Sequence, residues 1–190
     1  MVGQFKRPIV LHNYWTEFMP TKLIATVLMC LLTTSALGVT QGDEAPAWRG
    51  TDLATGSQVE FPDVLNDRPA VLLFWATWCP YCKAFMPYVK EIQADYAQYG
   101  VQIISFNAKE RGRGDPKAYV ETLGFPLVAV AAADDIAEQY DIQFIPGLLI
   151  VGGDGVIAYR RKSTELPAGK TVSQLWDAEV RAVLDELVER

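Results

Sequence analysis

Cysteine and histidine are scarce in this chain of 190 residues, which holds 3 Cys and 1 His. A zinc centre needs about four such ligands, and both Cys30 and His12 lie in the N-terminal segment. No metal site is therefore expected in the remainder, and no disulfide framework either. Basic excess is also lacking: Lys and Arg number 17 against 23 Asp and Glu, a net charge of −6. Nucleic-acid binding wants a basic face and is not expected. The chain has no internal repeat and no low-complexity tract. Its 50% apolar content is enough for one good core.

Charge is missing altogether from Leu23 to Gly42, directly after Lys22. Such a stretch reads as a secretory signal or a single membrane anchor. Thr34-Ser35-Ala36 and Ala36-Leu37-Gly38 are small-x-small cleavage candidates, and serine and threonine are frequent there, so cleavage is favoured over a tether through residues 23–42. Met19-Pro20-Thr21-Lys22 would itself open a compact signal, which makes Met19 the expected start. Cys30 follows Met29, which is not small, and reads as an apolar residue of the segment rather than a lipidation site. The expected division is residues 1–42 as signal peptide or anchor and residues 43–190 as one folded domain. Export fits the cysteine usage, because only Cys79 and Cys82 then remain.

Those two cysteines organise the chain. Val71 to Trp75 is an unbroken apolar run, the pattern of a strand buried on both faces. Cys79-Pro80-Tyr81-Cys82 follows at once and opens a helical stretch. Two cysteines three apart at a helix start lie within disulfide reach. Cys79 falls where free N–H groups and the helix dipole favour a thiolate. Pro80 suits the first turn, since its missing N–H would be unpaired there anyway. Cys82, one turn in, is expected to be the more buried sulfur. The layout is that of a dithiol in which Cys79 attacks and Cys82 resolves. The alternative, an inert disulfide, would close a tiny loop and gain little.

Trp78-Cys79-x-x-Cys82-Lys83 after an apolar strand, with Pro87 five residues on, resembles a thioredoxin-fold active site. Phe74-Trp75-Ala76-Thr77-Trp78-Cys79 is similar to the TlpA/ResA/CcmG branch of extracytoplasmic thiol-disulfide oxidoreductases. The resemblance covers about residues 44–190. It implies an α/β fold of thioredoxin-like type: three layers, a mixed central sheet, an N-terminal hairpin and a TlpA-type helix-strand insertion. It also implies a cis-proline at Ile145-Pro146, opposite Cys79. Substrate contacts would come from Trp78, Pro80, Tyr81, Ile145 and Pro146, and an acidic residue, here Glu110, would face the cysteines from the end of the adjacent strand. Many members have threonine after the proline; this chain has Gly147.

The rest of the chain fits that plan. Gly42 to Pro46 reads as a polar linker and Trp48 to Phe61 as a hairpin turning near 54–57. A short helical turn over 63–67 precedes strand 71–76 and helix 80–98, in which Pro87 is expected to make a kink. Val101 to Phe106 reads as a strand, 116–123 as a helix capped by Asp115, Phe125 to Val130 as a strand and 134–140 as a short helix. Apolar residues at 172, 175, 176, 180, 183, 184 and 187 predict a terminal helix on the sheet. Arg111 to Asp115 and Arg160-Arg161-Lys162 read as solvated charge. Burial near the dithiol is expected to raise the Glu110 pKa toward neutrality, suiting it to take the Cys82 proton.

The expected function is thiol-disulfide exchange outside the cytoplasm, in the periplasm or its equivalent, without cofactor or metal beyond the Cys79–Cys82 disulfide. The resemblance favours a reductant of specific cysteine-bearing proteins, such as apocytochrome c or copper-site proteins, recharged by a membrane thiol reductant. A dithiol oxidase and a non-catalytic client-binding module are the alternatives.

Overall fold

The computed structural model describes residues 38–112, 114–162 and 166–189. The expected signal or anchor over 1–42 lies almost entirely outside them. Among the described residues no helix is long and apolar enough to cross a membrane.

Five strands form the central sheet: β3 (Ala70–Trp75), β4 (Gln102–Asn107), β5 (Val128–Val130), β6 (Gly147–Val151) and β7 (Ile157–Arg160). Their order is β5-β4-β3-β6-β7. β3 pairs in parallel with β4 and antiparallel with β6, so the sheet is mixed. Every residue of β3 and β6 is buried, as their continuous apolar runs require. A hairpin, β1 (Trp48–Thr51) and β2 (Gln58–Phe61), precedes the sheet.

Helices α1 (Pro80–Tyr96), α2 (Pro116–Leu123) and α4 (Val172–Val188) contribute apolar side chains to one core, around Val71, Leu73, Ile103 and Ile150. Short α3 (Asp134–Gln139) and the hairpin fill the other, around Leu72, Phe74, Ile104 and Phe106. Alternation along β3 and β4 thus serves both faces of one sheet. Phe74 stacks on Phe106 with ring centroids 4.5 Å apart, and Trp48 meets Phe106 edge-on at 5.0 Å. On the opposite face, Phe85 of α1 packs edge-on against Trp176 of α4 at 5.5 Å. Arg181 of α4 joins Asp95 of α1 at 2.7 Å.

Local chemistry accounts for the helix ends. Asp115 caps α2 by accepting the Ala118 N–H at 3.0 Å, with Pro116 at the first position. Thr171 and Gln174 form a reciprocal capping box on α4. α1 runs unbroken through Pro87. Within α4, Trp176, Val180 and Leu184 are buried and Val172, Val183 and Leu187 pack beside them, whereas Leu175 stands outside that core.

Two segments depart from expectation. Residues 42–45 are no free linker: Gly42 and Ala45 donate to the Ile157 and Gly155 carbonyls, and Ile157 donates back to Asp43. The strand expected over 125–130 shrinks to Val128–Val130, because only these residues find partners, on Ile104 to Phe106. Gly124 ends α2 in the left-handed region, and Pro126 has no N–H to offer a ladder.

The hairpin is fastened to β5 by a buried carboxylate. Asp52 accepts the Ala54 and Thr55 N–H groups at 2.8 Å and, from 77 residues away, the Ala129 N–H at 3.1 Å. Replacing it strands these donors. Asp52→Ala is expected to cost about 2 kcal/mol, within the range for lost hydrogen bonds to a charged group. Urea unfolding checks this; an unchanged midpoint would show that packing and the backbone bonds of Thr51 and Leu53 to β5 hold the hairpin without the carboxylate.

Candidate active site

The site lies where β3 runs into α1. Parallel pairing sets Trp75 opposite Asn107, so the segments leaving β3 and β4 emerge together. Ala108 donates to the Trp75 carbonyl at 3.0 Å just beyond the last paired residues.

Cys79 is the N-cap of α1. Its backbone is extended, and its Sγ accepts the Cys82 N–H at 3.1 Å. A sulfur in this place takes one of the amides that a helix start leaves unpaired, and negative charge on it is favoured by the helix dipole. Cys79 and Cys82 are joined in a disulfide, with Cα atoms 5.3 Å apart. The expected difference in burial is absent: the residues are 2% and 1% exposed. What separates the two cysteines is the helix start. Cys79 receives the amide, and Cys82 supplies it.

Glu110 reaches across from the β4 side. Its Oε1 accepts the Thr77 N–H at 2.6 Å and the Asn107 side-chain N–H at 2.7 Å, while Oε2 accepts the Thr77 hydroxyl at 2.8 Å. Burial pushes this carboxyl up and is the largest single influence. The donors of Thr77 and Asn107, with the Arg111 backbone, together outweigh it and hold the pKa below the ordinary glutamate value. The expected rise toward neutrality is thus corrected. The two bonds from Thr77 come from 33 residues away, where no local pattern announces them.

Trp78 is fixed on the same side. Its indole N–H donates to the Lys109 carbonyl at 2.8 Å, and the Arg111 guanidinium lies 3.6 Å from its ring centroid. Arg111 is therefore engaged by an aromatic face rather than simply solvated. The loop returns so close to Thr77 that a Cβ on Gly114 would stand 1.7 Å from the Thr77 hydroxyl. Only glycine fits there.

Pro80 is exposed at the first turn of α1, and Tyr81 is 59% exposed. The Ile145–Pro146 peptide is cis. Pro146 is buried and Ile145 is half-buried. Among the described residues, no backbone hydrogen bond engages Ile145. Arg161 donates to the Pro146 carbonyl and stacks over Trp176, 4.5 Å from its ring centroid. Arg161 is not solvated edge charge: it is half-buried and tied to the proline loop. Thr77, Asn107 and Arg161 were not singled out as site residues. A polar residue closing an apolar strand, as Asn107 does, was the one signal on offer.

Gly147 has a packing reason. A Cβ there would lie 2.8 Å from Ile142 Cγ2 and 3.2 Å from Phe74 Cβ. Ile142 occupies the space that a threonine would need.

The chain and its fold are matched by known proteins. The Redoxin family profile matches residues 40–177. Thiol-disulfide oxidoreductase ResA of Bacillus anthracis is 31% identical over 151 residues, covering 72% of this chain and 85% of the relative. Thiol:disulfide interchange protein DsbE of Escherichia coli K12 is 26% identical over 148 residues, covering 76% and 74%. An uncharacterised conserved protein of Geobacillus kaustophilus superposes with a TM-score of 0.68 at 25% identity, over 78% of this chain and 82% of that one. A thiol:disulfide interchange protein of Bacteroides sp. does so with a TM-score of 0.59 at 23% identity, over 78% and 93%. The chain belongs to the Redoxin family and, within it, is a thioredoxin-like thiol-disulfide oxidoreductase of the ResA/DsbE type.

Two variants test the local arrangement. A carboxylate held below its ordinary pKa stabilises the fold above the unfolded value, and that contribution is lost as pH falls through the folded value. Glu110→Gln is therefore expected to lower the thermal midpoint of the oxidised protein at pH 7 by roughly 2–4 °C, the shift that about 1 kcal/mol makes in a domain of this size. The gap to wild type should close as pH drops below about 4.3, the unfolded glutamate value. An equal gap at pH 7 and pH 3 would contradict the anchored carboxylate. Gly147→Thr is expected to destabilise by about 1–3 kcal/mol through overpacking. In a double-mutant cycle, Gly147→Thr should cost less in the Ile142→Ala background than in wild type on urea unfolding; equal costs in both backgrounds would contradict the assigned clash.

Proposed function

We propose that the protein reduces disulfides of specific cysteine-bearing partners outside the cytoplasm, through Cys79 and Cys82. The sulfur of Cys79 at the start of α1, within reach of the Cys82 amide, is the observation that carries this reading.

In the proposed sequence the Cys79 thiolate attacks one sulfur of the partner's disulfide. That bond breaks, the Cys79–partner bond forms, and the partner's other sulfur leaves as a thiolate and takes a proton. Cys82 then gives up its proton and attacks the Cys79 sulfur. The mixed bond breaks and the second partner sulfur departs as the acceptor of that proton. Two electrons have passed from the dithiol to the partner, leaving the Cys79–Cys82 disulfide. The extended chain at Ile145, with its backbone groups unengaged and no N–H on Pro146, suits an extended partner segment, and Trp78, Pro80 and Tyr81 border the same sulfur. Glu110 has its oxygens committed to Thr77 and Asn107, which supports a positioning role for it: it holds the approach to Cys79 in place.

Residues 23–42 support export or tethering, by their lack of charge. Re-reduction by a membrane thiol donor, and partners of the cytochrome c maturation or copper-site type, accord with the resemblance to the TlpA/ResA/CcmG branch.

Cys82→Ser is expected to accumulate mixed disulfides through Cys79, because the resolving thiol is gone. Cys79→Ser should not, because its remaining sulfur lies inside the first turn and lacks the amide. Non-reducing gels of cell extracts read both. Equal adduct yields would contradict the assigned roles.

A further inference from the structure

The loop that ends at Pro146 has little main-chain support of its own. Ile142 donates to the Ala137 carbonyl at 2.8 Å, and Gly147 opens β6 opposite Phe74. Between them, among the described residues, no bond from one main-chain group to another engages Gln143, Phe144, Ile145 or Pro146. Phe144 is 78% exposed, so packing does not hold the middle of the loop either. A short segment with so few bonds opens easily unless something else fixes it.

Two consecutive arginines at the end of β7 supply the hold. Arg160 is paired with Leu149 in the sheet, and its side chain takes the start of the loop. Its Nη1 donates to the Tyr140 carbonyl at 2.6 Å and its Nη2 to the Asp141 carbonyl at 2.7 Å. Asp141 lies in the left-handed region, with φ 49°, which a residue bearing a Cβ adopts at some cost. Arg161 continues the strand, donating its N–H to the Leu148 carbonyl at 3.0 Å. Its guanidinium takes the end of the loop, at the Pro146 carbonyl, and stacks on Trp176. Successive strand residues point to opposite faces. Arg160 thus reaches Tyr140, in the core of α3 and the hairpin, while Arg161 reaches Trp176, in the core on the other face. The pair straddles β7 and grips the loop at both ends. The Arg160 side chain is only 16% exposed, so it is not charge left in water. Spanning two carbonyls from one side chain takes the planar fork of arginine, which the point charge of lysine lacks.

We propose that Arg160 and Arg161 are positioning residues for the exchange reaction: they hold both ends of the loop from Tyr140 to Pro146 and so keep the main chain of Ile145 ready for a partner segment. The inference rests on the reading that Cys79 exchanges with protein disulfides beside Ile145. A partner that pairs with a main chain already in place does not have to order it, and binds more tightly for that reason. If only about a tenth of the molecules held the competent loop, apparent affinity would fall about tenfold. A disulfide too small to pair with Ile145 gains nothing from the clasp.

The test uses the reduced full chain and two oxidants: a synthetic peptide of no net charge with its disulfide in an extended segment, and hydroxyethyl disulfide. The reading is the ratio of their second-order rate constants within each variant, peptide over hydroxyethyl disulfide. Arg160→Met and Arg161→Met keep an apolar stem and remove the donors. Each is expected to lower the ratio on the order of tenfold, with the loss for the peptide falling on KM rather than kcat. Arg160→Lys keeps the charge but cannot span both carbonyls, and is expected to lower the ratio as well. Amide hydrogen exchange gives a second reading: residues 143–147 should exchange faster in the methionine variants, while β3 keeps its protection. A wild-type ratio in both methionine variants, or loop exchange no faster than in wild type, would overturn the clasp. So would a wild-type ratio in Arg160→Lys, which would leave the effect to charge alone. If a methionine variant fails to fold, Arg160→Lys decides by itself. Failure of the wild type to react with hydroxyethyl disulfide would instead contradict the exchange reading, and the positioning role with it.

Discussion

A sulfur stands where a helix has an amide to spare, and the site is built around that contact. The first N–H groups of α1 have no partner within the helix. Cys79 supplies its Sγ to one of them, at 3.1 Å from the Cys82 nitrogen. The same amide that caps the helix is thus placed to stabilise charge on the sulfur when the disulfide opens. Stability of the helix start and reactivity of the cysteine are one interaction. Pro80 at the first position costs nothing there, because its absent N–H belongs to the unpaired set.

That contact holds its place only because the chain on both sides is fixed. Behind it, β3 is buried along its whole length, between partners on both edges. In front, Phe85 and Met86 bury the inner face of α1 beneath the sheet. The turn between would be the loose part, and Glu110 gathers it. One carboxylate takes both the amide and the hydroxyl of Thr77, two residues before Cys79, and the amide of Asn107 from the neighbouring strand. With three donors the partly buried carboxylate becomes the tie between the two strand ends. On the far side Arg161 does the matching work for the proline loop, its guanidinium held between the Pro146 carbonyl and the Trp176 ring.

Local signals were legible in the sequence. The apolar run before Cys79 and the Asp115-Pro116 helix start each depend on residues within one or two turns of chain, and each appears where the pattern placed it. The resemblance carried the order of elements and the mixed sheet. Contacts between distant segments were not legible. Nothing near Glu110 in the sequence names Thr77, 33 residues earlier, as the donor that keeps its carboxyl ionised. Nothing near Gly42 announces pairing with residues 155–157. The equal burial of the two cysteines depends on what covers the helix start, which spacing alone does not encode. Gly147 stood out as a departure, but its cause, Ile142, is visible only once the loop has turned back on β6.

The central claim is that position at the helix start, and not exposure, makes Cys79 the reacting sulfur. Brief alkylation of the reduced protein with less than one equivalent of iodoacetamide, followed by peptide mapping, tests it most directly. The two cysteines are almost equally covered, so the label reports which sulfur is the better nucleophile. Modification is expected at Cys79, with Cys82 following only after unfolding. Label shared equally between them, or found first on Cys82, would contradict it.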